Sequence, residues 1–90
     1  MRELNSALTR AGYQCTFRYG GITVTAGNVT IAIGQDRDKA DLFMVYIQED
    51  LESGPVFKSM DDLSRADVMT LCASYASSAV PAQSPAPALV

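Results

Sequence analysis

Hydrophobic and polar residues alternate one by one through residues 13–33, in three short segments divided by Gly20-Gly21 and Gly27-Asn28. A period of two puts every second side chain on one face of a sheet, and glycine-bearing dipeptides take the positive φ angles that two-residue hairpin turns demand. The stretch predicts a β-meander. A turn at Gly20-Gly21 pairs Tyr19 with Ile22, Phe17 with Val24 and Cys15 with Ala26. A turn at Gly27-Asn28 pairs Ala26 with Val29, Val24 with Ile31 and Ile22 with Ile33. Both registers put Cys15, Phe17, Tyr19, Ile22, Val24, Ala26, Val29, Ile31 and Ile33 on the core side. Gln14, Thr16, Arg18, Thr23, Thr25, Thr30 and Ala32 face the other way.

Before the meander, Leu4, Ala7, Leu8 and Ala11 recur at three- and four-residue spacing, which describes a short amphipathic helix, and Gly12 stands where a terminating glycine would end it. After the meander, residues 35–41 read as a charged loop and residues 42–47 as a fourth strand. That strand breaks the alternation, because the triplets Leu42/Met44/Tyr46 and Phe43/Val45/Ile47 are both apolar. If the strands lie in simple order the fourth is at an edge, and one triplet needs cover from a fifth strand near residues 56–58, from the C-terminal tail or from a partner chain.

Residues 49–55 form an acidic, turn-rich connection. Ser64 begins a second helix, with Asp67 completing an approximate capping box and Leu63 and Val68 at the positions of a hydrophobic staple. Asp61, Asp62 and Asp67 then fall where the helix dipole favours negative charge. A start at Ser59 is the alternative boundary. The stripe Val68, Leu71, Cys72 and Tyr75 follows, and the helix frays near Ser77-Ser78. Residues 79–90 carry Pro81, Pro85 and Pro87 among small residues and cannot bury enough to offset their ordering entropy. They read as a disordered or extended tail, or as a linear docking segment. The fold class is α+β: residues 1–78 make one domain, an antiparallel meander of three to five strands with an N-terminal and a C-terminal helix packed on one face.

Composition narrows the function classes. Of 90 residues 48% are hydrophobic, a globular value, and no apolar run approaches the ~18–20 residues that span a bilayer. The first twelve residues lack the continuous apolar stretch of a secretory signal, so the expectation is a cytoplasmic protein. Cys15 and Cys72 are then reduced, buried and inert thiols, and the Asn28-Val29-Thr30 glycosylation sequon has no meaning. Net charge is −3, but residues 36–67 hold nine acids against four bases while residues 1–35 are net positive. Three widely spaced arginines do not make a nucleic-acid stripe, so no direct nucleic-acid contact and no membrane partner are expected.

The absence of histidine removes Ser-His and Cys-His nucleophile pairs and the commonest neutral-pH base. Two cysteines on different elements fall short of a zinc site. The run from Asp36 to Asp41 puts Ala40, Asp41 and Ile47 where a calcium loop wants an oxygen ligand, a glycine and a glutamate. Asp61 and Asp62 are adjacent helix positions in this reading and diverge. No catalytic residue, metal or cofactor is assigned.

Two surfaces remain. One is the threonine face, with Thr16, Thr25 and Thr30 side by side and Arg18 and Thr23 adjacent. The other is the spare apolar face of the fourth strand. The expectation is a small non-catalytic protein-binding module, such as an adaptor, inhibitor or accessory protein, acting through a sheet face or edge with Leu42, Met44, Tyr46, Arg18 and Thr25 at the contact. Two alternatives are an acidic mimic that occupies another protein's nucleic-acid groove and a self-assembling structural protein or homodimer. The mimic requires the carboxylates of residues 36–67 to converge on one face.

Overall fold

The computed structural model describes residues 1–39 and 41–78, so the expectation for residues 79–90 lies outside the described residues. The elements run α1 (Arg2–Arg10), β1 (Gln14–Arg18), β2 (Gly21–Ala26), β3 (Val29–Gln35), β4 (Phe43–Leu51), β5 (Gly54–Leu63) and α2 (Arg65–Ser78). The five strands form one antiparallel sheet in the order β1-β2-β3-β4-β5. Leu4 and Leu8 of α1 and Val68 and Cys72 of α2 bury against Ile22, Val24, Val29, Ile31, Ile33, Phe43, Val45 and Ile47, so both helices lie on one face.

The β2–β3 hairpin has the expected register, with Ala26 opposite Val29, Val24 opposite Ile31 and Ile22 opposite Ile33. Gly27 takes φ +57° to turn the chain. The β1–β2 hairpin departs from expectation by two residues: Phe17 faces Ile22 and Cys15 faces Val24, with the turn at Tyr19-Gly20. Gly21 is a strand residue, because a Cβ there would stand 3.3 Å from the Ile33 carbonyl oxygen. Its glycine serves a close approach of two backbones. An offset of two preserves the facing, so the core side of β1 keeps Cys15 and Phe17. Tyr19 leaves the core side altogether and is fully exposed in the turn, and Thr16 moves from opposite Thr25 to opposite Thr23.

In β4 the choice between triplets is resolved: Phe43, Val45 and Ile47 are buried, opposite Gln35, Ile33 and Ile31 of β3. β4 is an interior strand, with β5 beyond it at the edge. β5 is longer than expected and absorbs Asp61 and Asp62, which therefore do not lie in the first turn of α2. Between the pairs Phe43–Leu63 and Val45–Met60 it carries an extra residue, a β-bulge, with Asp62 at φ +57°. Lys39 closes that bulge with a 3.0 Å ion pair to Asp62, whose carboxylate holds the Lys39 ammonium above its ordinary pKa.

The helix termini follow local chemistry. The Gly12 N–H donates to the Thr9 carbonyl and the Tyr13 N–H to that of Leu8, the paired bonds of a Schellman motif, with Gly12 at φ +96°. Ala11 is the exposed C-cap of α1 and not a core residue. At α2 the Asp67 N–H donates to Ser64 Oγ and the Ser64 N–H to Asp67 Oδ2, both at 3.1 Å, the reciprocal bonds of the expected capping box.

Two stability changes follow. Ser64→Ala removes the cap acceptor and should lower the unfolding free energy by about 1 kcal/mol. Ile31→Ala opens a cavity at the centre of the sheet and should cost about 2–5 kcal/mol, a large share of the ~4–12 kcal/mol expected of a domain this size. Urea titrations read both, with an unchanged slope for Ser64→Ala.

Candidate functional site

Because the helices share one face, the other face of the sheet is bare among the described residues. Register fixes what it presents. One row across the strands reads Gln14, Thr25, Thr30, Gln48 and Phe57, and the next reads Thr16, Thr23, Ala32, Tyr46 and Ser59. A third begins with Arg18 and Gly21 and continues through Gly34 and Met44. Threonine, glutamine and serine are ordinary on a solvated strand face. The aromatic residues are not: Tyr46 is 59% exposed and Phe57 is 69% exposed.

Within this face lies a shallow depression of about 530 Å³. Its floor is made of small residues, Gly21, Ala32 and Gly34, flanked by Thr16 and Thr23, and its rim carries Arg18, Tyr19 and Tyr46. The floor exists because two of its three central positions have no side chain. A Cβ added at Gly34 would meet nothing within 4 Å, and Gly34 has no positive φ that would require glycine.

The rim contains the one strained tyrosine. Tyr19 sits at φ +53° beside Gly20 at φ +74°, the two positive angles of a type I′ hairpin turn. Asparagine, aspartate and glycine adopt that first turn position readily, whereas a left-handed conformation costs most other residues roughly 1–2 kcal/mol. Tyr19 recovers none of this by burial, being fully exposed. Strain of this kind concentrates at sites where function holds a side chain in place.

The residues expected at a contact fare unequally. Met44, Tyr46, Arg18 and Thr25 all face the open side, with Met44 half-buried and the other three exposed. Tyr46 and Arg18 come together at the depression, Met44 lies beyond Gly34, and Thr25 lies outside the depression in the row of Gln48 and Phe57. Leu42 stands one residue before β4, half-buried, its N–H bonded to the Lys39 carbonyl and its carbonyl to the Asp36 N–H. Tyr19 was missed as a contact residue because the expected turn placed it on the core side; Gly34 was missed because nothing in a sequence marks a floor.

The carboxylates do not converge. Asp36, Asp38, Asp41, Asp61, Asp62 and Asp67 gather where β4 begins, while Glu49, Asp50 and Glu52 lie at the far hairpin of β4 and β5. Strand rise separates Phe43 from Leu51 by about 27 Å. Within the first group the Asp36 side chain accepts the backbone N–H groups of Asp38 at 2.8 Å and Lys39 at 3.2 Å, organising its loop. Among the described residues no three His, Cys, Asp or Glu side chains are grouped to hold a metal ion, and no helix is long and apolar enough to cross a membrane.

Both cysteines are free, Cys15 half-buried and Cys72 buried between α2 and the sheet. Cys15 Sγ–H donates weakly to the Tyr13 carbonyl at 3.6 Å. Burial first, and then the neighbouring Cys15, push the Cys72 thiol up to about 11 from an ordinary 9.0. Its thiol should therefore react with iodoacetamide at pH 8 only after urea unfolding. A group whose acid pKa is raised on folding leaves stability untouched below the unfolded pKa. Between about pH 9 and 11 the unfolded chain ionises first, so stability should fall by on the order of 2 kcal/mol across that window. Urea midpoints at pH 8 and pH 11 measure this fall, and Cys72→Ala should reduce it, leaving the smaller part due to Tyr13, whose phenol burial also holds above its ordinary pKa.

Comparison with known proteins adds no relative to these observations: no family model, no curated protein and no solved structure matches the chain.

Proposed function

We propose that the protein is a small non-catalytic binding module whose recognition surface is the open face of the sheet, centred on the depression between Tyr19 and Tyr46. The observation that carries this reading is the combination of a glycine-and-alanine floor with a fully exposed tyrosine held at positive φ on its rim. Gly21 serves the close approach to β3, but neither the glycine at position 34 nor the tyrosine at position 19 serves the fold. A strand glycine costs about 0.5–1 kcal/mol relative to alanine, and Gly34 has room for a side chain.

The chemistry of the depression selects its occupant. Two exposed tyrosines beside a floor of glycine and alanine suit an apolar or aromatic side chain of a partner protein, since tyrosine offers a large rigid surface at low entropic cost. Among the described residues Arg18 is the one charged side chain lining the depression, and its guanidinium suits a carboxylate beside that anchor. The partner surface is therefore an apolar side chain flanked by an acidic one. A nucleic-acid mimic is disfavoured, because its carboxylates would have to track a backbone along one face and here they divide between two ends.

Two substitutions separate stability from recognition. Tyr19→Asn gives an Asn-Gly type I′ turn and should raise the unfolding free energy by about 1 kcal/mol. Gly34→Val fills the floor and should raise it by about 0.5–1 kcal/mol. Both should weaken partner binding at least tenfold. The measurement uses a benzophenone side chain at Thr16 in the native host: one defined adduct is expected, lost with Gly34→Val or Tyr19→Asn and kept with Arg10→Glu on α1. An adduct indifferent to both substitutions would sink the reading.

A further inference from the structure

Among the described residues, five of the seven large apolar side chains that stand exposed belong to the β4–β5 hairpin: Tyr46, Leu51, Val56, Phe57 and Met60. Two of them, Tyr46 and Phe57, lie on the open face; Val56 and Met60 turn toward the helix side at the sheet margin, where each is left 37% exposed. The margin itself is β5, ten residues long against five for the opposite edge strand β1.

The hydrogen-bonding parity of β5 can be read from its turn. A two-residue turn at Glu52-Ser53 closes on the pair Leu51–Gly54, and bonded pairs alternate from there. Gly54, Val56, Lys58 and Met60 therefore spend their backbone groups on β4. Pro55, Phe57 and Ser59 aim theirs outward, where no described strand lies. Proline falls at an outward position, the one place in a strand where its missing N–H costs no internal bond. Edge strands are usually protected by proline, charge or a bulge. Here the proline and the bulge sit at the ends, Pro55 at one and the Asp62 bulge at the other, leaving a regular stretch from Val56 to Met60 between them in which Lys58 is the single charge and spends its backbone groups on β4.

We propose that two copies of this chain pair antiparallel through β5, about a two-fold axis that sets Phe57 against Phe57 of the second copy, to form one continuous ten-stranded sheet. Residues opposite each other in an antiparallel pair share a face, which limits the two-fold registers to those centred on a residue. Centring on Lys58 places like charges opposite each other, which is destabilising. Centring on Ser59 sets Phe57 against Asp61. Centring on Phe57 brings two exposed rings together on the open face and sets Lys58 against Val56 of the second copy, within reach of that copy's Glu49. Lys58 already pairs with its own Glu49 at 3.6 Å, and its ammonium lies 5.9 Å from the Tyr75 ring centre, so this charge is poised at the margin.

The register forms four backbone hydrogen bonds, two between the Phe57 residues and two from Ser59 N–H groups to Pro55 carbonyls. Each proline leaves one Ser59 carbonyl to water. A seven-residue edge buries less than the ~800 Å² per partner of a standard stable interface, so the dimer should be weak, dissociating in the range of about 10 µM to 1 mM. The inference stands apart from the reading of the Tyr19–Tyr46 depression, which each copy retains whole.

Sedimentation equilibrium of the full chain from 5 µM to 1 mM tests it. The wild type should pass from monomer to dimer. Phe57→Lys and Phe57→Glu should each stay monomeric, because the two-fold opposes like charges, while their equimolar mixture should form a heterodimer. Phe57 is 69% exposed, so both variants should fold, which circular dichroism checks. Ser59→Lys, an edge charge of the same kind, should weaken the dimer at least tenfold and supplies a second probe. A wild type that stays monomeric to 1 mM overturns the proposal. So does a dimer indifferent to Phe57, or a mixture of the two charged variants that fails to associate.

Discussion

The structure depends on burying one face of a strongly alternating sheet under two short helices. Ile22, Val24, Val29, Ile31, Ile33, Val45 and Ile47 are all essentially inaccessible to water, and each such side chain contributes about 1.5–3 kcal/mol when moved from water to the interior. Leu4 and Leu8 from α1 and Val68 and Cys72 from α2 supply the opposing layer. Two helices of nine and fourteen residues cannot roof five strands. They cover the centre of one face and leave Phe17 at one margin and Val56 and Met60 at the other partly uncovered. Among the described residues, the exposed apolar side chains of the strands descend from that shortfall or from the bare opposite face.

The ends of the sheet solve a different problem from its faces. Bases and carboxylates concentrate at the ends, where they close turns and caps: Lys39 to Asp62 across the bulge, Asp67 with Ser64 at the start of α2, and Asn28 Nδ2 to the Asp50 carbonyl at the far end. The exposed ion pair is worth little and the cap about 1 kcal/mol, but together these contacts define chain geometry where backbone groups would otherwise lack partners. Apart from Arg18 at the rim of the depression, charge is thereby drawn away from the middle of the open face, whose aromatic and small residues are left to meet solvent.

Much of the fold was legible because separate signals agreed. In β2 and β3 the hydrophobic alternation and the Gly27-Asn28 turn demand the same register, and in α2 the Ser64/Asp67 box coincides with the first apolar turn. The β1–β2 hairpin was not legible to the same depth. Gly20 and Gly21 can form a turn by themselves, and only the packing of Gly21 against the Ile33 carbonyl, a contact distant in sequence, makes Gly21 a strand residue and pushes Tyr19 into the turn. β5 hid for another reason: as an edge strand with one face bare it carries Lys58, Ser59, Asp61 and Asp62 without penalty, so its sequence resembles a loop. The depression was invisible because its floor is glycine and alanine at positions brought together by two strands, β2 and β3.

Those same three misreadings share a cause with consequences for recognition. Positions that the core determines are readable, since a single wrong residue there costs several kcal/mol. Tyr19, Gly34 and Phe57 are positions the core does not determine: one is fully exposed, one has open space where a Cβ would stand, and one lies 69% exposed at the sheet margin. Local physics would prefer asparagine at the first, a β-branched residue at the second and a charge at the third. Where a chain of this size departs from its local optimum three times on one side of one sheet, the departures are better explained by what that side meets than by what it covers. The helix-bearing face makes the fold, and the bare face with its β5 margin carries the residues that the fold leaves unexplained.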